Sequence, residues 1–301
     1  MSQGVERGHR ASVPEARPVP LSLPSAVPGL TLRAWQWGRE GVPVLLLHGF
    51  GMSGRVWDPI ALALGPRRVF APDARGHGDS HRGSEARDWY QTGVEDLEAL
   101  TLALGPEPFT LVGHSMGANV AMRFTHLHPE RVERLVLLDA GPDLPSARTR
   151  TRAQRPAPRH TPPLSGFASE RAYAEALGVI YPRASPDTLL ALAGHWLRRR
   201  PDGRFEPKLD PALLHAGRGA REPGSPWART ESERLWDQLA GIGCPLLIVR
   251  GEESRVLSRA TARRMLSTSR DGRFEELAGA GHGLMFDAPH ELASVLSRFL
   301  A

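Results

Sequence analysis

Gly113-His114-Ser115-Met116-Gly117 follows the apolar run Phe109-Thr110-Leu111-Val112. A serine between two glycines at the end of a strand has the setting of a nucleophile on a sharp strand-to-helix turn. The glycines suit a turn too tight for side chains. A helix expected over about residues 118–126 directs its positive end at that turn. The chemistry is acyl transfer, which also needs a base, an orienting acid and oxyanion donors. His282, in Ala280-Gly281-His282-Gly283, is a base of suitable pKa, just beyond the last apolar run. His48 also ends an apolar run, but the Gly49-Phe50-Gly51 after it suits backbone donors better than a base. The N–H of Met116, next to the nucleophile, is a second donor.

Positioning these residues requires strands that end at a common edge. Short apolar runs alternate with helical patterns, as in an α/β domain with a mainly parallel sheet. Runs at 44–47, 69–71, 109–112, 135–138 and 246–249 read as strands covered on both faces. Residues 30–37 read as an edge strand and 274–277 as the last strand. Thr92 with Glu95 reads as a capping box, with Gly105 ending that helix. Asp58-Pro59 reads as a cap and a first-turn proline. Leu292, Val295, Leu296, Phe299 and Leu300 form one stripe of a terminal helix.

The alternation breaks between about 141 and 235, where no strand pattern is present. A Pro/Arg-rich loop is followed by helical segments at 169–177, from Ser185-Pro186-Asp187, with Arg198 to Arg200 at its C-terminal end, and from Asp210-Pro211. Three units are expected: a disordered tail over 1–25, an α/β core over 26–141 and 236–301, and a helical cap over 142–235. Phe167, Tyr173, Tyr181, Trp196 and Trp227 are read mainly as packing that cap onto the core.

The 301 residues carry a formal charge of +5, and Lys208 is the sole lysine. The positive excess is local, with sixteen basic against nine acidic residues between 145 and 235. Arg148, Arg150, Arg152, Arg155 and Arg159 cluster there among prolines. No aromatic-interleaved or finger-like motif accompanies them, so a solvated loop is expected and no nucleic-acid partner. No apolar stretch reaches the roughly 18 residues of a membrane span. The polar, Pro-rich start lacks an apolar signal region, and a cytoplasmic location is expected. The single cysteine, Cys244, precludes an internal disulfide and is read as structural.

Taken in order, His48-Gly49-Phe50-Gly51, Asp73 to Ser80, Gly113 to Gly117 and Gly281-His282 resemble the α/β-hydrolase superfamily, its serine-nucleophile, capped branch. The likeness covers the chain from about residue 30. It implies an α/β-hydrolase fold: an eight-stranded, mainly parallel sheet flanked by helices, with the cap inserted between strands six and seven. It implies Ser115 as nucleophile, His282 as base, the Phe50 and Met116 amides as oxyanion hole, and no metal or organic cofactor. The segment from Asp73 to Ser80 is expected to be structural.

One stretch departs from the family pattern. The acid usually follows strand seven, where this chain reads Gly251-Glu252-Glu253-Ser254-Arg255. Neither Ser254 nor Arg255 accepts a hydrogen bond as an anion. Three repairs are open: Asp139 at the end of strand six, Glu253 or Glu252 from the neighbouring turn, or no acid at all. The assignment made here is Asp139, with Glu253 as the alternative acid.

Rival readings are weaker. Gly49-Phe50-Gly51-Met52-Ser53-Gly54 matches a dinucleotide-binding fingerprint and Asp73 follows at about the right distance. The helix-start pattern at Asp58-Pro59 comes too late for it, however. His126 and His128 point to different helix faces and read as a surface pair rather than metal ligands. Serine in place of aspartate at 115 favours hydrolysis of a carboxylic ester, lactone, thioester or C–C bond in a small-molecule substrate. A monomer or homodimer is expected. The alternative is a ligand-binding protein with a degraded acid position, or a lyase using the same pocket.

Overall fold

The computed structural model describes residues 17–82, 89–143, 166–214 and 225–301. The strands are β1 (Val19–Pro24), β2 (Thr31–Trp37), β3 (Glu40–Leu47), β4 (Arg67–Pro72), β5 (Phe109–His114), β6 (Val132–Leu138), β7 (Leu197–Arg199), β8 (Phe205–Pro207), β9 (Leu246–Gly251) and β10 (Gly272–Leu277). The helices are α1 (Asp58–Ala63), α2 (Trp89–Leu104), α3 (Met116–Leu127), α4 (Glu170–Ile180), α5 (Pro186–Trp196), α6 (Pro226–Gly241), α7 (Arg259–Thr268), α8 (Leu284–Asp287) and α9 (Pro289–Phe299). Eight strands form one sheet in the order β1-β2-β4-β3-β5-β6-β9-β10. It is antiparallel at β1–β2 and β2–β4 and parallel from there on.

Period-two alternation divides the core between the two faces of the sheet. Leu46, Val112, Val136 and Leu138 pack on one side with residues of α1, α4, α5 and α9. Leu45, Leu111, Leu135 and Ile248 pack on the other with residues of α2, α3, α6 and α7. A sheet covered on both faces explains why its central strands read as unbroken apolar runs. The register carries the consequence for chemistry. Leu47 pairs with Gly113, His114 with Leu138, Leu138 with Val249 and Leu277 with Gly251. The loops leaving β3, β5, β6, β9 and β10 therefore emerge along one edge.

Several local expectations need correction. Residues 30–37 are not an edge strand, because β1 lies outside β2 and pairs with it throughout. The expected tail over 1–25 thus includes a strand. Its Leu21 and Leu23 alternate and pack on the core, while Pro20 and Pro24 are tolerated because an edge strand need not donate on its open side. Thr92 lies inside α2 and opens no helix. Asp58 sits in the first turn of α1 and grips the Arg55 guanidinium at 2.6–2.9 Å. A 3-10 turn over Gly54–Trp57, capped by Ser53, precedes it.

Between β6 and β9, α4, α5 and α6 begin at Ser169, Ser185 and Ser225, whose hydroxyls accept the N–H three residues on. Each such cap is worth about 1 kcal/mol. The expectation of no strand here fails for β7 and β8. These form a small hairpin in which Arg198 pairs with Glu206 across the strands. Arg198 and Arg199 therefore belong to a strand, not to the end of α5. The segment from Asp210-Pro211 is a short 3-10 turn, Pro211–Leu214. Helix α6 crosses the expected boundary at 235/236 and packs on α3, with Glu231 paired to Arg123. The arginine cluster at 148–159 and residues 1–16 of the tail lie outside the described residues.

Candidate active site

Ser115 stands at the β5–α3 junction with φ 53° and ψ −115°. Among the described residues only Ser115 and Asp139 combine a side chain with a positive φ, 53° and 49°. Such conformations cost about 1–3 kcal/mol each and collect at functional sites. The flanking glycines are needed for space. A Cβ on Gly113 would lie 2.4 Å from the Gly117 carbonyl oxygen, and one on Gly117 2.5 Å from that of Leu47.

His282 lies in the loop between β10 and α8. Its Nε2 is 3.1 Å from Ser115 Oγ, and its Nδ1 is 2.7 Å from Asp139 Oδ2. A carboxylate only accepts, so Nδ1 carries the proton and Nε2 is left to accept the serine hydroxyl. The His282 carbonyl accepts from His114 Nε2 at 2.8 Å, and Gly281 N–H donates to Asp287 at 2.8 Å. The first bond ties the histidine loop to the serine turn, and the second closes that loop onto α8. Nothing in the sequence reading singled out His114.

Asp139 leaves the end of β6 with its side chain 0% exposed. Its Oδ1 accepts from Gly251 N–H at 3.3 Å, and its Oδ2 also accepts from Ser254 Oγ at 2.5 Å. The alternative acid is elsewhere: Glu253 pairs with Arg183 at 2.5 Å. Glu252 accepts from Gly279 N–H at 2.8 Å. Arg255 is exposed.

Met116 opens α3, and the first N–H groups of a helix lack intrahelical acceptors. Phe50 follows Gly49, where an added Cβ would lie 3.2 Å from Ser115 Cβ. Residues 48–50 therefore run against the serine turn. His48 shapes that loop and does not act on Ser115. Its Nε2 accepts from Ala74 N–H at 2.9 Å, so Nδ1 donates to the Gly49 carbonyl at 2.8 Å. Beside the serine turn is a largely apolar pocket that opens to solvent. Met116 and Gly117 line it with Leu97, Leu100, Val120 and Leu213, whereas Ser115 and His282 do not. On the opposite flank, Tyr181 packs against Phe286 at 4.5 Å between ring centroids.

Asp73 removes the dinucleotide reading. A helical turn begins at Gly54 itself, so helix timing is a weaker objection than the spacing suggests. Asp73, however, is 1% exposed and accepts from Gly54 and Asp79 N–H at 2.6 and 2.8 Å. It braces the loop from the inside. His128 pairs with Glu98 at 2.7 Å. No group of three or more metal-binding side chains occurs among the described residues.

Burial holds His48 and His77 neutral, lowering them to about 4 and about 3 from 6.5. As pH falls from 6.5 toward 4, the unfolded chain takes up protons that the folded chain refuses. Their contribution to stability is complete above pH 6.5 and is lost through that window. Asp73, pushed up to about 6 by burial, works the other way. It binds its proton in the folded chain, so its contribution falls as pH rises from 3.8 to about 6. Two imidazoles outweigh one carboxyl. Urea unfolding is expected to show stability rising between about pH 4 and 6.5, with His77→Gln flattening the rise. A flat wild-type profile would contradict this account.

The model of the alpha/beta hydrolase family matches residues 44–295. The 3-hydroxybutyrate-oligomer hydrolase of Cupriavidus necator is 28% identical over 277 residues, 86% of this chain and 89% of that protein. Esterase Rv0045c of Mycobacterium tuberculosis is 26% identical, over 92% of this chain and 89% of its own length. Among solved structures, the thioesterase domain from the curacin biosynthetic pathway superposes with a TM-score of 0.76 at 25% identity, covering 93% of this chain and 98% of that one. Among the described residues no helix is long and apolar enough to cross a membrane.

Proposed function

The chain belongs to the alpha/beta hydrolase family, and from that premise we propose that it is a serine hydrolase acting on a carboxylic ester or related acyl compound. Ser115 Oγ attacks the acyl carbonyl while His282 Nε2 takes its proton. Asp139 holds Nδ1–H and stabilises the imidazolium as it forms. The amides of Phe50 and Met116 receive the charge developing on the carbonyl oxygen. The leaving group departs with the proton returned from Nε2, and water repeats the sequence on the acyl-enzyme. These steps need no metal or organic cofactor.

The observation that carries this reading is the unbroken line from Ser115 Oγ through His282 to Asp139, with contacts of 3.1 and 2.7 Å. The non-catalytic alternative drew on a missing acid, and the buried carboxylate 2.7 Å from His282 Nδ1 supports the catalytic reading over it. The names of the relatives, a hydrolase of hydroxybutyrate oligomers, an esterase and a thioesterase, favour acyl compounds as substrates. The test is a fluorophosphonate probe on the full chain. Ser115 should be labelled in the wild type and left unlabelled in His282→Ala; an inert, folded wild type would refute the proposal.

Introducing a carboxylate one residue past Ser254 should do little. Arg255 is exposed, so Arg255→Asp is expected to leave kcat on p-nitrophenyl esters within about threefold, as for surface changes generally. A gain of several orders of magnitude would mean that Asp139 is not the working acid.

A further inference from the structure

Ser254 occupies the stretch where the family's acid was expected, and its hydroxyl meets the acid that comes from the neighbouring strand instead. Resting on the hydrolytic reading above, we propose that Ser254 is a positioning residue that fixes the Asp139 carboxylate and sets the basicity of His282.

The hydroxyl has little choice of direction. Its oxygen accepts from Val256 and Leu257 N–H at 3.0 and 3.3 Å. Those two donors occupy its lone pairs, so its single proton is left for Asp139 Oδ2, 2.5 Å away. The residue is 8% exposed, and water does not compete strongly there. Oδ2 is also the oxygen that receives His282 Nδ1–H. A donor on that oxygen draws off part of its negative charge and weakens its hold on the imidazolium. It also prevents the carboxylate from turning away from the ring.

The segment holding Ser254 is itself clamped. Arg250, at the end of β9 and buried, donates to the carbonyls of Leu257 at 2.7 Å, Glu252 at 3.0 Å and Ser254 at 3.2 Å. Glu276 on β10 pairs with it at 2.7 Å. One guanidinium thus gathers three carbonyls of the turn and aims its serine at β6. A forked, planar donor suits that task better than an ammonium.

Among the ionisable groups near the ring, His114 has its centroid 4.7 Å from that of His282, and Asp287 accepts from the neighbouring Gly281 N–H while sensing the charges of Arg183 and Glu253. Substitution at 254 leaves all of them in place.

The experiment compares wild type with Ser254→Ala, Ser254→Thr and Ser254→Cys as full chains, reading the His282 imidazole by NMR titration and kcat and KM on a p-nitrophenyl ester. Loss of the donor in Ser254→Ala should raise the His282 pKa and move the acid limb of kcat/KM up with it. It should lower kcat about tenfold with KM within about twofold, since the bond is to a charged group. Threonine keeps the hydroxyl and should restore wild-type values. Cysteine, a weak donor of similar size, should fall between, and it decides the matter if the alanine variant fails to fold. An unchanged pKa in alanine or cysteine, or a threonine variant shifted as far as alanine, overturns the proposal. The titration needs no turnover, so an inert wild type would sink the hydrolytic reading while the NMR result still judged Ser254.

Discussion

Ser115→Ala is expected to lower kcat on p-nitrophenyl esters by about 10⁶-fold, the scale seen when a serine–histidine unit loses its nucleophile. Fluorophosphonate labelling should vanish with it. The fold should not suffer, because Ser115 Oγ faces His282 at 3.1 Å and supports no core packing. Ser115→Gly is the sharper variant. At φ 53° and ψ −115° any L-residue is strained, and glycine is not. Ser115→Gly should therefore be equally inactive and more stable than wild type by about 1–3 kcal/mol in urea unfolding. A glycine variant less stable than wild type would mean that the turn carries no strain.

Asp139→Asn should lower kcat by about 10⁴-fold with far-UV dichroism unchanged. The amide is almost isosteric, but its nitrogen cannot accept from Nδ1. If it turns its NH₂ toward His282 the imidazole adopts the other tautomer, and Nε2 can no longer take the Ser115 proton. If it turns its oxygen that way, its NH₂ faces a neighbouring donor and the negative charge is lost in either case. Glu253→Gln, by contrast, breaks only a half-exposed pair with Arg183 and should change kcat by less than about threefold. A large loss with Glu253→Gln and none with Asp139→Asn would transfer the acid's role to the cap-facing turn.

The sheet was legible because its central strands are covered on both faces, which writes them as apolar runs such as Leu45-Leu46-Leu47. The serine turn was legible because only glycine fits at 113 and 117. Strand β1 was not, since two prolines in six residues outweigh the alternation of Leu21 and Leu23 in any reading of composition. Hairpin β7–β8 has strands of three residues, too short to show a period of two. That Asp139 rather than Glu253 meets His282 rests on the pairing of β6 with β9 across a long intervening segment, a long-range fact with no local trace. His114, Arg250 and Ser254 were missed for a related reason. Ser254 and His114 meet partners 115 and 168 residues away, Arg250 gathers the carbonyls of its own turn, and none is a fixed letter of a motif, although Ser254 was visible as the residue standing in an expected aspartate's place.

The alignment of Leu138 with Val249 has an evolutionary corollary. Adjacent strand termini in a parallel sheet are about 4.8 Å apart, so a carboxylate launched from either can dock on one imidazole. The acid's address is therefore portable: a carboxylate can move to the next strand without rebuilding nucleophile or base, and a vacancy at the customary spot is no sign by itself that the constellation is broken.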